Sequence, residues 1–125
     1  MSKDKEFHLH WAAAPDEHDY PAAASFLALL MDDGQVADKV ALLQSAPMRV
    51  FKAKDIFRAS GLPILSFDNA HVTQDHAKIV CGEALSPILL VRDAALGKVV
   101  IADGYHRLCA VYIMDEDADV PCKIV

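Results

Sequence analysis

The first 46 residues show patterns of apolar and polar positions that predict a strand followed by a helical hairpin. Residues 7–12, FHLHWA, alternate as a short strand does, with histidines on one face and apolar side chains on the other. The run DYPAAASFLALLMDDG predicts a helix from Pro21 to Met31, because proline suits a first helical position and DDG supplies a stop. A second helix is predicted over QVADKVALLQSA, with one apolar face formed by Val36, Val40 and Leu43.

After Pro47 the chain changes to shorter elements. MRVF is typical of a strand and KAKDIFRASG of a short helix that ends at Gly61. The next helix is expected to begin with Asp68 or Asn69 as its N-cap and to end near Gly82. Two strands, SPILLVR and KVVIA, a helix over 105–114, an acidic loop DEDAD and a final strand PCKIV complete the order.

This order of elements predicts an α+β fold: a small mixed β-sheet surrounded by helices, preceded by an N-terminal helical extension. The chain has 125 residues, a common size for one domain, and we therefore expect a single domain over 1–125. Residues 1–46 would form the extension and residues 47–125 the core.

Composition excludes some partners. Lysine and arginine total 12 against 18 acids, a formal net charge of −6, so no global positive field would attract nucleic acid or an anionic membrane. Sequence-specific nucleic-acid binding and membrane association are therefore not expected, and a bound anion would need a local site. The segment MSKDKEFHLHW lacks the apolar run of a signal peptide, and no stretch is long and apolar enough to span a bilayer.

The three cysteines are widely spaced and contain no C-x-x-C pair, which indicates neither a disulfide framework nor a zinc knuckle. We therefore expect a reducing, cytoplasmic setting. His8 and His10 have an i, i+2 spacing that suits metal chelation, but no third ligand is identifiable and no metal site is predicted.

The most informative stretch is IADGYHRLCAVY, where an apolar strand turns into an apolar helix. His106 and Arg107 fall in the first helical turn, where the helix dipole disfavours cations and favours anions. A phosphate at the helix entrance would resolve this conflict, since Gly104 allows close backbone approach and Arg107 can donate two hydrogen bonds.

Asp103 has several alternative roles. It could cap the helix, orient His106, hold Arg107, coordinate magnesium or act as a base. A purely structural alternative carries comparable weight: Asp103 as N-cap, Gly104 as a turn residue and Arg107 in an ion pair with the acidic C-terminal loop.

From Val50 to Val125 the chain resembles the ParB/sulfiredoxin-like superfamily in its order of elements and in the turn DGYHR. Sulfiredoxins carry glycine-cysteine-histidine-arginine at this turn, and ParB proteins carry glycine-acid-arginine-arginine. The resemblance implies that the turn holds nucleotide phosphates, which assigns phosphate binding to Gly104, His106 and Arg107. It also implies that the helix after Asp68 lines the same pocket, with His71 and Lys78 as phosphate contacts.

The chain departs from this pattern in two ways. Tyr105 stands where sulfiredoxins have their reactive cysteine, so sulfiredoxin activity through a thiol at that position is excluded. Cys109 lies one turn further on among apolar residues, which would raise its pKa and leave it inert. The helix-turn-helix domain that ParB proteins add after this module is not expected, because the chain ends at Val125.

Several further residues have alternative interpretations. His71, Gln74 and Lys78 share one helix face, which is either a contact surface for the ligand or an ordinary solvated face. Tyr105 could stack on a base or pack in the core, and Arg92 could approach the ligand or flank a turn.

The sequence thus predicts a nucleotide- or phosphate-binding domain, with magnesium accompanying a nucleotide. If the ligand turns over, nucleotide hydrolysis or phosphoryl transfer fits best, with Asp103 and His106 as candidate catalytic residues. Two alternatives stay open: a ParB-like nuclease or nucleic-acid-binding protein, and a non-catalytic interaction module in which Arg107 pairs with an internal acid such as Asp119 beside no open cavity. A homodimer through the helical hairpin is a further alternative.

Overall fold

The computed structural model describes residues 8–125; Phe7 of the predicted first strand lies outside the described residues. Within that range the chain forms five helices and six strands. The helices are α1 (Asp19–Leu27), α2 (Asp33–Ser45), α3 (Ala53–Ser60), α4 (Ala70–Val80) and α5 (Tyr105–Met114). The strands are β1 (His10–Trp11), β2 (Arg49–Lys52), β3 (Ala84–Leu85), β4 (Ile88–Asp93), β5 (Lys98–Asp103) and β6 (Asp119–Ile124).

Four strands form a mixed sheet in the order β2-β6-β4-β5. The β4–β6 pair is parallel, whereas the β2–β6 and β4–β5 pairs are antiparallel. A separate parallel pair joins β1 to β3, with His10 opposite Ala84 and Trp11 opposite Leu85. The small mixed α+β class predicted from the sequence is therefore confirmed.

Helices cover both faces of the four-stranded sheet, because strand side chains alternate between the faces. On one face Leu89, Val91 and Ala102 pack with Leu27 of α1 and Leu43 of α2. The other face packs against α3, α4 and α5, with buried contributions from Leu90, Ile101, Val72, Ile56 and Leu108. The N-terminal hairpin thus supplies one of the two helical layers.

The boundaries of the N-terminal elements differ from the prediction. The predicted strand 7–12 is reduced to β1, and α1 begins at Asp19 and ends at Leu27, so the predicted Pro21 start and Met31 end are wrong. The DDG segment begins α2: the Asp32 carboxylate accepts from the Gln35 N–H, and the Gln35 side chain accepts from the Asp32 N–H. This reciprocal capping box stabilises a helix start two residues before the predicted one.

From residue 48 onward the predicted elements are confirmed with small shifts. Asn69, and not Asp68, caps α4, while Gly61 and Gly82 follow α3 and α4 with positive φ. The acidic loop predicted over 115–119 is shorter, because Asp119 already pairs with Lys52 in the sheet. No helix within residues 8–125 has both the length and the apolar character needed to cross a bilayer.

Candidate functional site

The turn between β5 and α5 is built around Gly104, which has φ of 105°. A side chain there would be strained by that φ and would collide with the Ile88 side chain beneath it. Asp103 therefore ends the strand and Tyr105 begins the helix with only one residue between them. The geometry explains why glycine is needed at this position.

The N-terminus of α5 has no side-chain cap, in contrast to α2 and α4, which Asp32 and Asn69 cap. The first bond within α5 runs from the Leu108 N–H to the Gly104 carbonyl, at 2.9 Å. The N–H groups of Tyr105, His106 and Arg107 precede it and so have no carbonyl partner inside the helix. These groups and the helix dipole favour an anion at this position.

A polar cavity of about 250 Å³ opens at this helix entrance. Residues 103–107 form one wall, and α4 forms the other with His71, Gln74, Asp75 and Lys78. The structure therefore brings the predicted helix face of His71, Gln74 and Lys78 against the turn formed by residues 103–107. All predicted binding residues line this one cavity.

His71 and His106 meet across the cavity, with ring centroids 4.9 Å apart. Burial lowers the pKa of His106 below its ordinary value, and the nearby His71 lowers it further, while Asp75 acts in the opposite direction. A bound anion would favour the protonated form, so this half-buried imidazole is suited to gain a proton when a ligand binds.

Cations and acids are balanced around the cavity. Lys78 Nζ lies 3.6 Å from Asp75 Oδ1, and Arg107 Nη2 lies 3.1 Å from Asp103 Oδ2. Anion binding here cannot therefore depend on an excess of lysine and arginine. It would depend on the backbone N–H groups of α5, on the two histidines and on Lys78 exchanging its pairing with Asp75 for the ligand.

Arg107 is held by a network of internal acceptors. Its Nε donates to the Ser86 carbonyl at 2.9 Å, and Nη2 donates to the Pro87 carbonyl and to Asp103. Asp19 adds a second carboxylate, 3.9 Å from Nη2. Within residues 8–125 these bonds engage Nε and Nη2, and none of them engages Nη1.

Asp103 holds Arg107, one of the alternatives that the sequence left open. The capping alternative is wrong, since Gly104 is the N-cap and no side chain caps α5. Burial raises the pKa of Asp103 above its ordinary value, and although Arg107 opposes this rise, the neighbouring Asp19 adds to it. The carboxyl thus has the raised pKa that general acids and bases often show.

The residues of the site do not fit a magnesium ion held by the protein. Across residues 8–125 no cluster of three histidine, cysteine, aspartate or glutamate side chains could hold a metal. Asp103 is already bonded to Arg107. Magnesium would therefore have to arrive on the phosphates of a nucleotide.

A second polar cavity, of about 270 Å³, adjoins the first and shares Lys78 and Arg107 with it. Asp16 and His18, which precede α1, and Asp19, its first residue, line this cavity together with Ser86. The Ser86 hydroxyl donates to Asp19, whose carboxylate also accepts from the Asp16 N–H. The N-terminal extension therefore forms part of the surroundings of Arg107.

The acidic C-terminal loop does not pair with Arg107, so that part of the structural alternative is wrong. Asp117 pairs with Lys54 and Asp119 pairs with Lys52 at 2.9 Å. The Lys54 ammonium lowers the pKa of Asp117. These acids thus stabilise the start of α3, away from the cavity.

Other candidates take structural positions. The Tyr105 hydroxyl donates to the Pro63 carbonyl at 2.6 Å, and its ring packs edge-on against Phe57. Cys109 is buried, which raises its pKa as expected. Arg92 lines a different cavity at the far end of β4.

Sequence reasoning missed Asp19 and Ser86, two partners of the site. Asp19 precedes the helix start predicted at Pro21, and Ser86 is the first residue of the predicted strand SPILLVR. Neither position carries a local signal for Arg107, because both contacts join segments far apart in the chain.

The comparisons with known proteins give no relative. No protein-family model matches the chain, and neither the curated proteins nor the solved structures give a match. The ParB/sulfiredoxin resemblance therefore stays a prediction, and the function has to be argued from the site.

Proposed function

We propose that the protein binds a phosphate-bearing small molecule at the entrance of α5, with nucleotides as the first candidates. One observation carries this proposal: the uncapped N-terminus of α5 opens into a polar cavity lined by His71, His106, Gln74 and Lys78. Backbone N–H groups at a helix N-terminus form a common binding site for phosphate. The ParB/sulfiredoxin resemblance implies the same ligand at the same turn.

In this proposal the roles of the residues are divided by position. The N–H groups of residues 105–107 bind the phosphate oxygens, and Gly104 lets the phosphate approach the backbone. His106 and His71 donate from opposite walls, and Lys78 exchanges part of its pairing with Asp75 for the ligand. Arg107 positions the turn through Asp103 and offers Nη1 to the ligand.

Calorimetric titration with ATP, ADP, CTP and GTP, each with magnesium, tests the proposal. Saturable binding of one nucleotide is expected, weakened about tenfold or more in His106→Gln and in Lys78→Gln, because each variant loses a hydrogen bond to a charged group. Arg58→Gln is the matched control, since Arg58 is exposed on α3 and lines neither polar cavity. Absence of a binding heat with all four nucleotides would overturn the nucleotide proposal.

Hydrolysis or phosphoryl transfer is a separate question, tested only after binding. Asp103 is the candidate base because its carboxyl lines the cavity and has a raised pKa. Release of inorganic phosphate from the bound nucleotide, lost in Asp103→Asn while binding is retained, would support turnover. If the nucleotide is unchanged after prolonged incubation, the protein binds it without hydrolysis or phosphoryl transfer.

A non-catalytic interaction module is the second candidate, favoured by the internal pairing of Arg107. Its guanidinium contacts two carboxylates, Asp103 and Asp19, as a structural arginine would. The open cavity beside it was not expected for such a module.

The α1–α2 hairpin has exposed apolar side chains that suit an interface of the chain with a second copy: Phe26, Leu29, Leu30 and Leu42. Sedimentation at several protein concentrations would test this homodimer.

No observation favours the nuclease or nucleic-acid alternative at this site. That alternative needs a local basic groove, and the two cations of the cavity stand beside Asp75 and Asp103.

A further inference from the structure

A third cavity, of about 440 Å³, lies at the opposite end of β5 from the α5 entrance. Each strand of the main sheet contributes to its lining, with Phe51 from β2, Ile124 from β6, Leu90 from β4 and Val99 from β5. Ile56 and Ala59 of α3 cover these residues. The cavity is mainly apolar and has a volume typical of sites for small molecules.

Arg92 is the unusual residue of this cavity. It follows Ile88 and Leu90 in the same strand register, so it occupies the next position on the face that α3 covers. In the sheet Leu90 is paired with Ile124, and Arg92 is paired with Val99. Arg92 is exposed and lines the cavity, so its guanidinium lies at the solvent-facing edge of an apolar floor.

A second cation, Lys98, reaches over the same cavity. Its Nζ would lie 3.6 Å from a Cβ placed on Gly61, so the side chain extends from the start of β5 to the end of α3. Among residues 8–125 neither Lys98 nor Arg92 forms an ion pair. Both charges are therefore available to a ligand.

The two acids that line this cavity have other roles. Asp93 Oδ1 accepts from the Leu96 N–H at 3.2 Å and so stabilises the β4–β5 turn. Asp55 lies in the first turn of α3, where the helix dipole favours a negative charge. Structural roles thus account for both acids, whereas neither cation has a carboxylate partner within residues 8–125.

We propose that this cavity binds a small apolar molecule that carries one carboxylate. The apolar body lies between α3 and the sheet, and the carboxylate pairs with Arg92, whose planar guanidinium matches a carboxylate with two parallel hydrogen bonds. Lys98 adds a second charge at the mouth. The site is independent of the phosphate site, because β5 separates them by about 17 Å along the strand.

Titration of isotope-labelled protein with octanoate, followed through backbone amide resonances, tests this proposal. Saturable shifts are expected in α3, in residues 92–99 and at Ile124, while residues 104–107 stay unchanged. Octanol, which has the same chain and no charge, should bind about tenfold more weakly or worse, because it lacks the charged hydrogen bond. Equal binding of octanol and octanoate would overturn the role of the cations.

Two variants and one control complete the design. Arg92→Gln is expected to weaken octanoate about tenfold and to leave octanol unaffected. Ala59→Leu fills the cavity from an exposed helix position and should abolish binding of both compounds. The amide spectrum of this variant should remain that of a folded protein. Arg58→Gln, on the same helix and outside the cavity, should bind as the unaltered protein does. Absence of shifts with millimolar octanoate, or shifts centred on α5, would overturn the proposal.

Discussion

Arg107 and Asp103 form an ion pair across the β5–α5 junction, with 3.1 Å between Nη2 and Oδ2 and side chains only 16% and 15% exposed. Removal of the guanidinium would leave the Ser86 and Pro87 carbonyls without their donors and Asp103 without its cation. We expect Arg107→Ala to lower the free energy of unfolding by about 3 kcal/mol, as loss of one partner from a buried pair does. Urea unfolding at neutral pH measures this.

Asp103→Asn added to Arg107→Ala should cost less than the sum of the two single changes, because the unpaired charge is then removed. The control Arg58→Gln should change stability by less than about 0.5 kcal/mol. A loss below about 1 kcal/mol in Arg107→Ala would show that the ion pair does not support the turn.

The backbone at Gly104 provides a second prediction. Gly104→Ala has to hold φ of 105° and move the Ile88 side chain, so we expect a loss of about 3 kcal/mol. Gly82→Ala is the matched control: φ is 76° and nothing lies within 4 Å of the added carbon, so about 1 kcal/mol is expected. Equal losses in thermal unfolding would contradict the close packing described at Gly104.

The pH dependence of anion binding tests the role of His106. Its pKa in the free protein is below the ordinary 6.5, so a bound anion that raises this pKa causes His106 to take up a proton. Sulfate, whose own charge is constant, should therefore bind about three- to tenfold more tightly at about pH 6 than at about pH 8. His106→Gln should remove most of this pH dependence. If the sulfate affinity of the variant changed with pH as much as that of the unaltered protein, the proton would be taken up by another group.

The same lowered pKa affects the free protein. Stability that depends on neutral His106 is fully present above pH 6.5 and is lost as the pH falls through the lowered pKa of the folded state. As the pH falls from 7 to about 5, the unfolding free energy of the protein should therefore decrease relative to that of His106→Gln. An increase relative to the variant would contradict this sign.

Cysteine accessibility is a further prediction. Cys81 is exposed, whereas Cys109 and Cys122 are buried, and burial raises the pKa of Cys122 to about 11. A maleimide at neutral pH should therefore label one thiol in the folded protein and three after denaturation. Mass spectrometry of the labelled peptides identifies the site, and rapid labelling of Cys109 would contradict its position in the core.

Local signals in the sequence are sufficient for the helices and the main-sheet strands after residue 48, although not for β3. Asn69 before an amphipathic run, and Gly82 after it, mark the two ends of α4 because caps act within a few residues. The fully apolar run after Arg107 predicts a buried helix, and Leu108 to Val111 are buried. The face of His71, Gln74 and Lys78 could likewise be predicted from helix periodicity alone.

Long-range contacts explain what was missed. The β1–β3 pair joins two-residue segments, too short for a periodic signal, and its pairing depends on distant parts of the chain. The DDG segment predicts a helix stop, but aspartate is typical of both turns and N-caps, and Asp32 caps α2. The second carboxylate on Arg107, from Asp19, depends on how the N-terminal hairpin packs on the sheet.

Backbone amide mapping with pyrophosphate tests the central proposal most directly, because the proposed ligands of the phosphate are backbone N–H groups. Saturable shifts are expected at Tyr105, His106 and Arg107 and on the facing residues of α4, and they should be much smaller in Lys78→Gln. Shifts absent from residues 104–107, or spread over exposed lysines and arginines without saturation, would contradict a phosphate site at the entrance of α5.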